Sequence, residues 1–129
     1  MREGSEPDMS LHLELGEAIG HAFQDALAEA VEQRQDALVV RLNNGVTLEV
    51  HYLAADAYSL RWTCGEIEFG IDTAPLHPDL ATFPNHFHDA TGRVVADPIT
   101  RPDAVPEDNL CRLIRALLVD PTLGAADTA

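Results

Sequence analysis

A chain of 129 residues is long enough for one domain with its own core, and this one carries 22 acidic residues, eight arginines, no lysine and a formal charge of −14. That charge opposes unassisted binding to a phosphate backbone, which is driven by basic side chains displacing counterions. The acidity is expected to reflect a high-salt source, since at about 1 M salt the Debye length is only roughly 3 Å, rather than a surface shaped for one basic partner. Two cysteines, Cys64 and Cys111, make neither a Cys-x-x-Cys pair nor a disulfide framework, and residues 1–8 lack a basic-then-apolar leader. With no apolar run of bilayer length, the expectation is a cytoplasmic protein that does not span a membrane.

In chain order, residues 1–8 are expected to be disordered, 9–121 to form a single α+β domain, and 122–129 to be a flexible tail. Met9, Leu11, Leu13 and Leu15 alternate as in a strand, or extend the helix that follows. Ile19, Phe23, Ala26, Leu27, Ala30 and Val31 form a helical stripe, predicting a helix over about 17–34.

Strands follow, and side-chain alternation sets their pairing. Leu38, Val40 and Leu42 share a face with Val46, Leu48 and Val50 only if Leu42 pairs with Val46, which makes Asn43-Asn44-Gly45 a three-residue loop with Gly45 left-handed. The next hairpin places Tyr52 opposite Tyr58, and a turn at Cys64-Gly65 places Trp62 opposite Ile67 and Leu60 opposite Phe69. On the other face this register aligns Glu49, Arg61 and Glu68 as a charge ladder.

Beyond a proline-rich loop, His86–His88 and Arg93–Ala96 flank Asp89-Ala90-Thr91-Gly92 as a short hairpin that can join either sheet edge. A final helix starts at Pro106 with Glu107 and Asp108 in its first turn, carries the stripe Leu110, Leu113, Ile114, Leu117 and Leu118, and stops at Asp120-Pro121. The expected architecture is two-layer α+β: an antiparallel meander of four to six strands with the N-terminal and C-terminal helices on its apolar face.

The loop from Asp72 to His88 concentrates the residues suited to chemistry, holding three of six histidines and three of eight prolines. In an extended segment His86 and His88 project together, with Phe87 turned away. Asp72, leaving the polar face, can approach them, and His77 lies between Pro75 and Pro78, which restrict its backbone. Two chemistries suit Asp72, His77, His86 and His88: binding a zinc or similar divalent ion that activates water, or acting without metal as general base and acid in phosphodiester transfer. Arg61 and Arg93 are the nearby anion-binding candidates, since either supplies local positive potential. His12, His21 and His51 read as surface histidines.

The run Asp72-Thr73-Ala74-Pro75-Leu76-His77-Pro78, followed by Thr82-Phe83-Pro84-Asn85-His86-Phe87-His88, resembles the signature of the TumE family, the toxin component of prokaryotic toxin–antitoxin pairs. The family pattern has Asn at Thr73, His at Leu76 and Asn85, and Lys at Phe87, so two of five family histidine positions are vacant here. Thr82 and Asn85, one matching and one departing, join Arg61 and Arg93 as binding candidates. The resemblance implies a small antitoxin partner and a histidine-dependent hydrolase, with RNA as a candidate substrate that the charge disfavours. The rival reading is a non-catalytic protein-binding or regulatory module whose histidine loop is structural or metal-stabilised.

Overall fold

A computed structural model describes residues 7–101 and 103–123. Helix α1, Pro7–Ala22, turns Leu11, Leu15 and Ile19 toward the core at i, i+4 spacing. The alternation at 9–15 is therefore helical, and residues 7 and 8, expected to be disordered, already belong to α1. The predicted helix over 17–34 stops at Ala22. Phe23, Ala26, Leu27 and Val31 still pack on the core, but from a turn and a single bridge between Leu27 and Leu42. Backbone bonds from Ala28 N to Arg41 O and from Asn43 N to Ala26 O, each 2.8 Å, replace the helical ladder. A short strand β1, Glu32–Arg34, follows and takes the strand count to seven.

The other strands are β2 (Ala37–Arg41), β3 (Val46–Ala54), β4 (Ala57–Cys64), β5 (Ile67–Asp72), β6 (His86–His88) and β7 (Val94–Ala96), all antiparallel in sequential order. β1 is a short charged edge: Arg34 and Arg41 donate to the two oxygens of Glu32 at 2.9 Å, and these bonds hold the Glu32 carboxyl below its ordinary range. The β2–β3 pairing has the expected register, with Leu42 N bonded to Val46 O at 2.9 Å and Gly45 at φ +93°. Tyr52 lies opposite Tyr58 as expected. The short hairpin joins the β5 edge through β6.

The β4–β5 register differs from the predicted one by two residues. Trp62 faces Phe69, Leu60 faces Ile71 and Cys64 faces Ile67, so the turn is Gly65-Glu66 with Gly65 at φ +65°. A two-residue slip keeps every side chain on its own face, so apolar alternation fits both registers; the need for a left-handed residue at the turn's first position decides. Arg61 therefore lies opposite Gly70 rather than Glu68, and the three-residue charge ladder does not form, although Glu49 does face Arg61.

Helix α2, Pro106–Val119, begins and ends where expected and buries Leu110, Leu113, Ile114 and Leu117 with α1 and the apolar sheet face. Trp62, Phe69 and Phe87 stack across β4, β5 and β6 within that core, and the Trp62 indole donates to Pro121 O at 2.8 Å, anchoring the end of α2. His12, expected at the surface, is buried at 2% exposure: its Nε2 accepts the Tyr52 N–H at 3.0 Å beyond the end of β2. Of the expected tail, Thr122 donates to Asp120 Oδ1, while residues 124–129, like 1–6, lie outside the described residues. Among the described residues no helix is long and apolar enough to cross a membrane.

Candidate functional site

The register puts two rows of residues side by side on the polar face. One runs Glu49, Arg61, Gly70, His88 across β3 to β6; the next runs His51, Ser59, Asp72, His86. Gly70 leaves the space between Arg61 and His88 free of a side chain: a Cβ there would sit 3.4 Å from Arg61 Cγ and 3.9 Å from His88 Cδ2. Asp72 is directly opposite His86 and diagonal to His88, close enough for its carboxylate to reach both rings.

It does reach both. His86 Nε2 lies 2.9 Å from Asp72 Oδ1, and His88 Nε2 lies 3.3 Å from Asp72 Oδ2. The His86 and His88 imidazoles meet edge to face with centroids 4.8 Å apart, and His77 meets the His86 ring edge to face at 4.9 Å. Asp72 Oδ1 also accepts the Ala74 N–H at 3.0 Å, which orients the carboxylate from its own chain. The three predicted histidines and the carboxylate are thus one cluster, with His86 at 1% exposure and the His88 side chain at 41%.

The proline loop creates this difference by folding back over the polar face. At its start Thr73 accepts the Tyr58 N–H through Oγ1 at 3.0 Å, so the residue departing from the family pattern clips the loop to β4. Successive tight turns, from Leu80 N to His77 O, Phe83 N to Leu80 O and Asn85 N to Thr82 O, bring the chain back through a cis Phe83–Pro84 peptide. Pro84 O then lies 3.3 Å from His86 Nδ1.

The binding candidates divide. Arg61 lines a groove of about 640 Å³ with Glu66, Glu68, Gly70, Asp72, His88 and Asp89. Arg93 is exposed and, among the described residues, does not line that groove; its backbone N–H donates to Asp89 Oδ1, which also accepts from the Thr91 backbone and hydroxyl. Those bonds, the Thr91 hydroxyl foremost, hold the Asp89 carboxyl below its ordinary range.

Thr82 and Asn85 serve the scaffold. Thr82 Oγ1 donates to Asn85 O and accepts the Asp97 N–H, each at 2.8 Å. Asn85 is 1% exposed and faces away from Asp72, its Nδ2 within reach of Tyr58 OH at 2.8 Å and of Asp97 Oδ2 and Thr100 Oγ1 at 3.1 Å. The vacant family position at Asn85 thus belongs to a buried network that ties Asp97 and Thr100 to β4, and the other, Leu76, is an exposed loop residue. The partners of Asp72 named above, His86, His88 and the Ala74 N–H, include neither position.

On the far side of Asp72 a second, more apolar cleft of about 510 Å³ is lined by His51, Leu53, Ala57, Ser59 and Thr73–Pro75. His51 itself sits 3.2 Å from Glu49 Oε2 in the neighbouring row. Sequence reasoning missed Gly70, whose importance follows only once the turn is placed at Gly65-Glu66.

An antiparallel meander backed by two helices, with one carboxylate held between two imidazoles at the mouth of a groove, defines a small α+β protein with a histidine–carboxylate site. The family model described as Toxin TumE matches residues 17–118, and the chain belongs to that family. Neither the curated proteins nor the solved structures include a match.

Proposed function

We propose that this chain is the toxin of a toxin–antitoxin pair and acts as a histidine-dependent hydrolase on RNA, with a small antitoxin protein as its partner. Family membership supports the toxin role. The observation that carries the chemistry is the contact of Asp72 with both imidazoles, one buried and one open to the groove. A general base must be both oriented by the protein and accessible to the reacting atoms, and His88, held by Asp72 and open to the groove, satisfies both conditions. His86, at 1% exposure, is an anchor for Asp72 rather than half of an acid–base pair flanking the substrate. Arg61, across the empty position of Gly70, can take a phosphate oxygen in the same groove.

Two states of this site are chemically competent. With a proton on His88 Nε2 donated to Asp72, Nδ1 becomes the lone-pair nitrogen that accepts the proton of an attacking 2′-hydroxyl, as the 2′-oxygen bonds to phosphorus, the P–O5′ bond breaks and water in the open groove protonates the departing 5′-oxygen. A divalent cation, if held by His88 Nε2 and Asp72, would supply Lewis-acid chemistry toward a phosphoryl oxygen or water. Both require His88 and Asp72.

The test is expression without the partner gene and incubation of the purified chain with RNA. The wild type should arrest growth and cleave RNA, and His88→Ala or Asp72→Asn should do neither while keeping the native circular dichroism spectrum. Undiminished toxicity in a folded His88→Ala protein would remove this cluster from the mechanism.

A further inference from the structure

We infer that Asp72, His86 and His88 bind one divalent cation, of which zinc fits the donors best; this rests on the reading of the same cluster as the hydrolytic site. Their ligating atoms all lie within 4.8 Å of one another. In a tetrahedral zinc site with bonds of about 2.0–2.1 Å, neighbouring ligand atoms are roughly 3.3–3.4 Å apart. His88 Nε2 lies 3.3 Å from Asp72 Oδ2 and His86 Nε2 lies 2.9 Å from Asp72 Oδ1, so each ring is near that spacing from its own carboxylate oxygen, and small ring and carboxylate rotations would draw the remaining separations, all within 4.8 Å, onto one ion. Three protein ligands leave a position for water or a phosphoryl oxygen, as catalytic zinc sites do.

The two oxygens around the His86 ring leave room for a cation. A neutral imidazole has one N–H and one lone pair, yet both ring nitrogens here face oxygens: Nδ1 faces Pro84 O at 3.3 Å and Nε2 faces Asp72 Oδ1 at 2.9 Å. If Nδ1–H donates to the Pro84 carbonyl, the Nε2 lone pair points at the carboxylate, and a cation between them turns a repulsion into two bonds. An imidazole whose second nitrogen is tied to a backbone carbonyl is the usual setting of a metal-binding histidine. Burial of His86 by the proline loop fixes that orientation before any ion arrives.

Charge gives an independent argument. The groove at the cluster is lined by Glu66, Glu68, Asp72 and Asp89 against one cation, Arg61, in a chain of net charge −14. Such a groove attracts a divalent ion and repels a polyanion. A bound cation at Asp72 would supply, at the point of reaction, the positive charge that an RNA phosphate needs and that the remaining surface withholds.

The experiment is isothermal titration of the full chain, stripped with chelator, with Zn²⁺, Mn²⁺ and Mg²⁺ in turn, supported by elemental analysis of the protein as purified. Wild type should bind one equivalent of Zn²⁺, more tightly than Mg²⁺. Outer-shell partners of a metal are worth about 10–100-fold in affinity, so loss of a direct ligand in His88→Ala or Asp72→Asn should cost at least about 100-fold. The exposed His21→Ala serves as a control with unchanged binding. His88→Ala keeps the test usable if His86→Ala fails to fold. Absence of stoichiometric binding, or binding unchanged in both His88→Ala and Asp72→Asn, overturns the metal site. Toxicity that depends on His88 in a chain that binds no ion would sink the metal and leave the hydrolase standing; binding lost in His88→Ala with toxicity intact would do the reverse.

Discussion

Replacing Asn85 with alanine separates scaffold from chemistry within one four-residue stretch. Its Nδ2 has three acceptors in range, at 2.8, 3.1 and 3.1 Å, but only two N–H bonds to give. Without it, Tyr58 OH keeps its contact with Thr100 Oγ1 at 2.9 Å, and Asp97 keeps the Thr100 hydroxyl and the N–H groups of Ile99 and Thr100. Each buried acceptor deprived of one donor costs about 1–3 kcal/mol. Asn85 Oδ1, however, has no hydrogen-bond partner among the described residues, so the alanine also removes a buried acceptor that was itself costly. The balance is a loss of about 2–3 kcal/mol, a substantial part of a stability on the order of 5–15 kcal/mol. With a urea m-value of about 1–3 kcal/mol/M, the midpoint should fall by about 0.7–3 M. Zinc affinity and residual RNA cleavage below the transition should be retained, because Asn85 does not face Asp72. A fall of less than about 0.5 kcal/mol would show that water reaches the network and would refute its structural role. Asn85→His, which refills one vacant family position, should destabilise the fold without raising activity.

The remaining predictions concern the sheet and its titrating groups. Burial raises Tyr52 and Tyr58 above their ordinary value of 10.0. Both groups therefore stay protonated in the native chain where the unfolded chain ionises, so their contribution is complete below pH 10 and is lost as pH rises through the native values. Alkaline unfolding followed by circular dichroism should coincide with tyrosinate absorbance; gradual tyrosinate formation in a folded chain near pH 10 would contradict this. Gly70→Val should keep the fold, since valine suits a strand, but fill the gap between Arg61 and His88 and lower RNA cleavage about 10-fold or more. Unchanged turnover would show that substrate does not pass between them.

Much of this architecture could be read in the sequence where one pattern admitted one solution. The β2–β3 register was legible because a one-residue slip would have buried Arg41 or exposed Leu48. The shared direction of His86 and His88 followed from strand periodicity, and their approach to Asp72 from the order of the meander. Three things were hidden for physical reasons. No glycine or proline follows Ala22 to mark the end of α1, and the apolar spacing at Phe23 to Val31 serves a turn as well as a helix. The β4–β5 turn was ambiguous because slipping by two residues preserves both faces. The burial of Asn85 and His12 depends on partners 27 and 40 residues away, which no local pattern announces.

The most direct test of the central claim is RNA cleavage by purified wild type and His88→Ala, compared at equal concentration with thermal unfolding recorded for both. Loss of an accessible general base or of a metal ligand should lower the rate by about 10²–10⁴-fold, while a half-exposed side chain leaves the melting temperature within a few degrees. Cleavage at the wild-type rate by a folded His88→Ala protein would contradict the assignment of this cluster as the toxin's active centre.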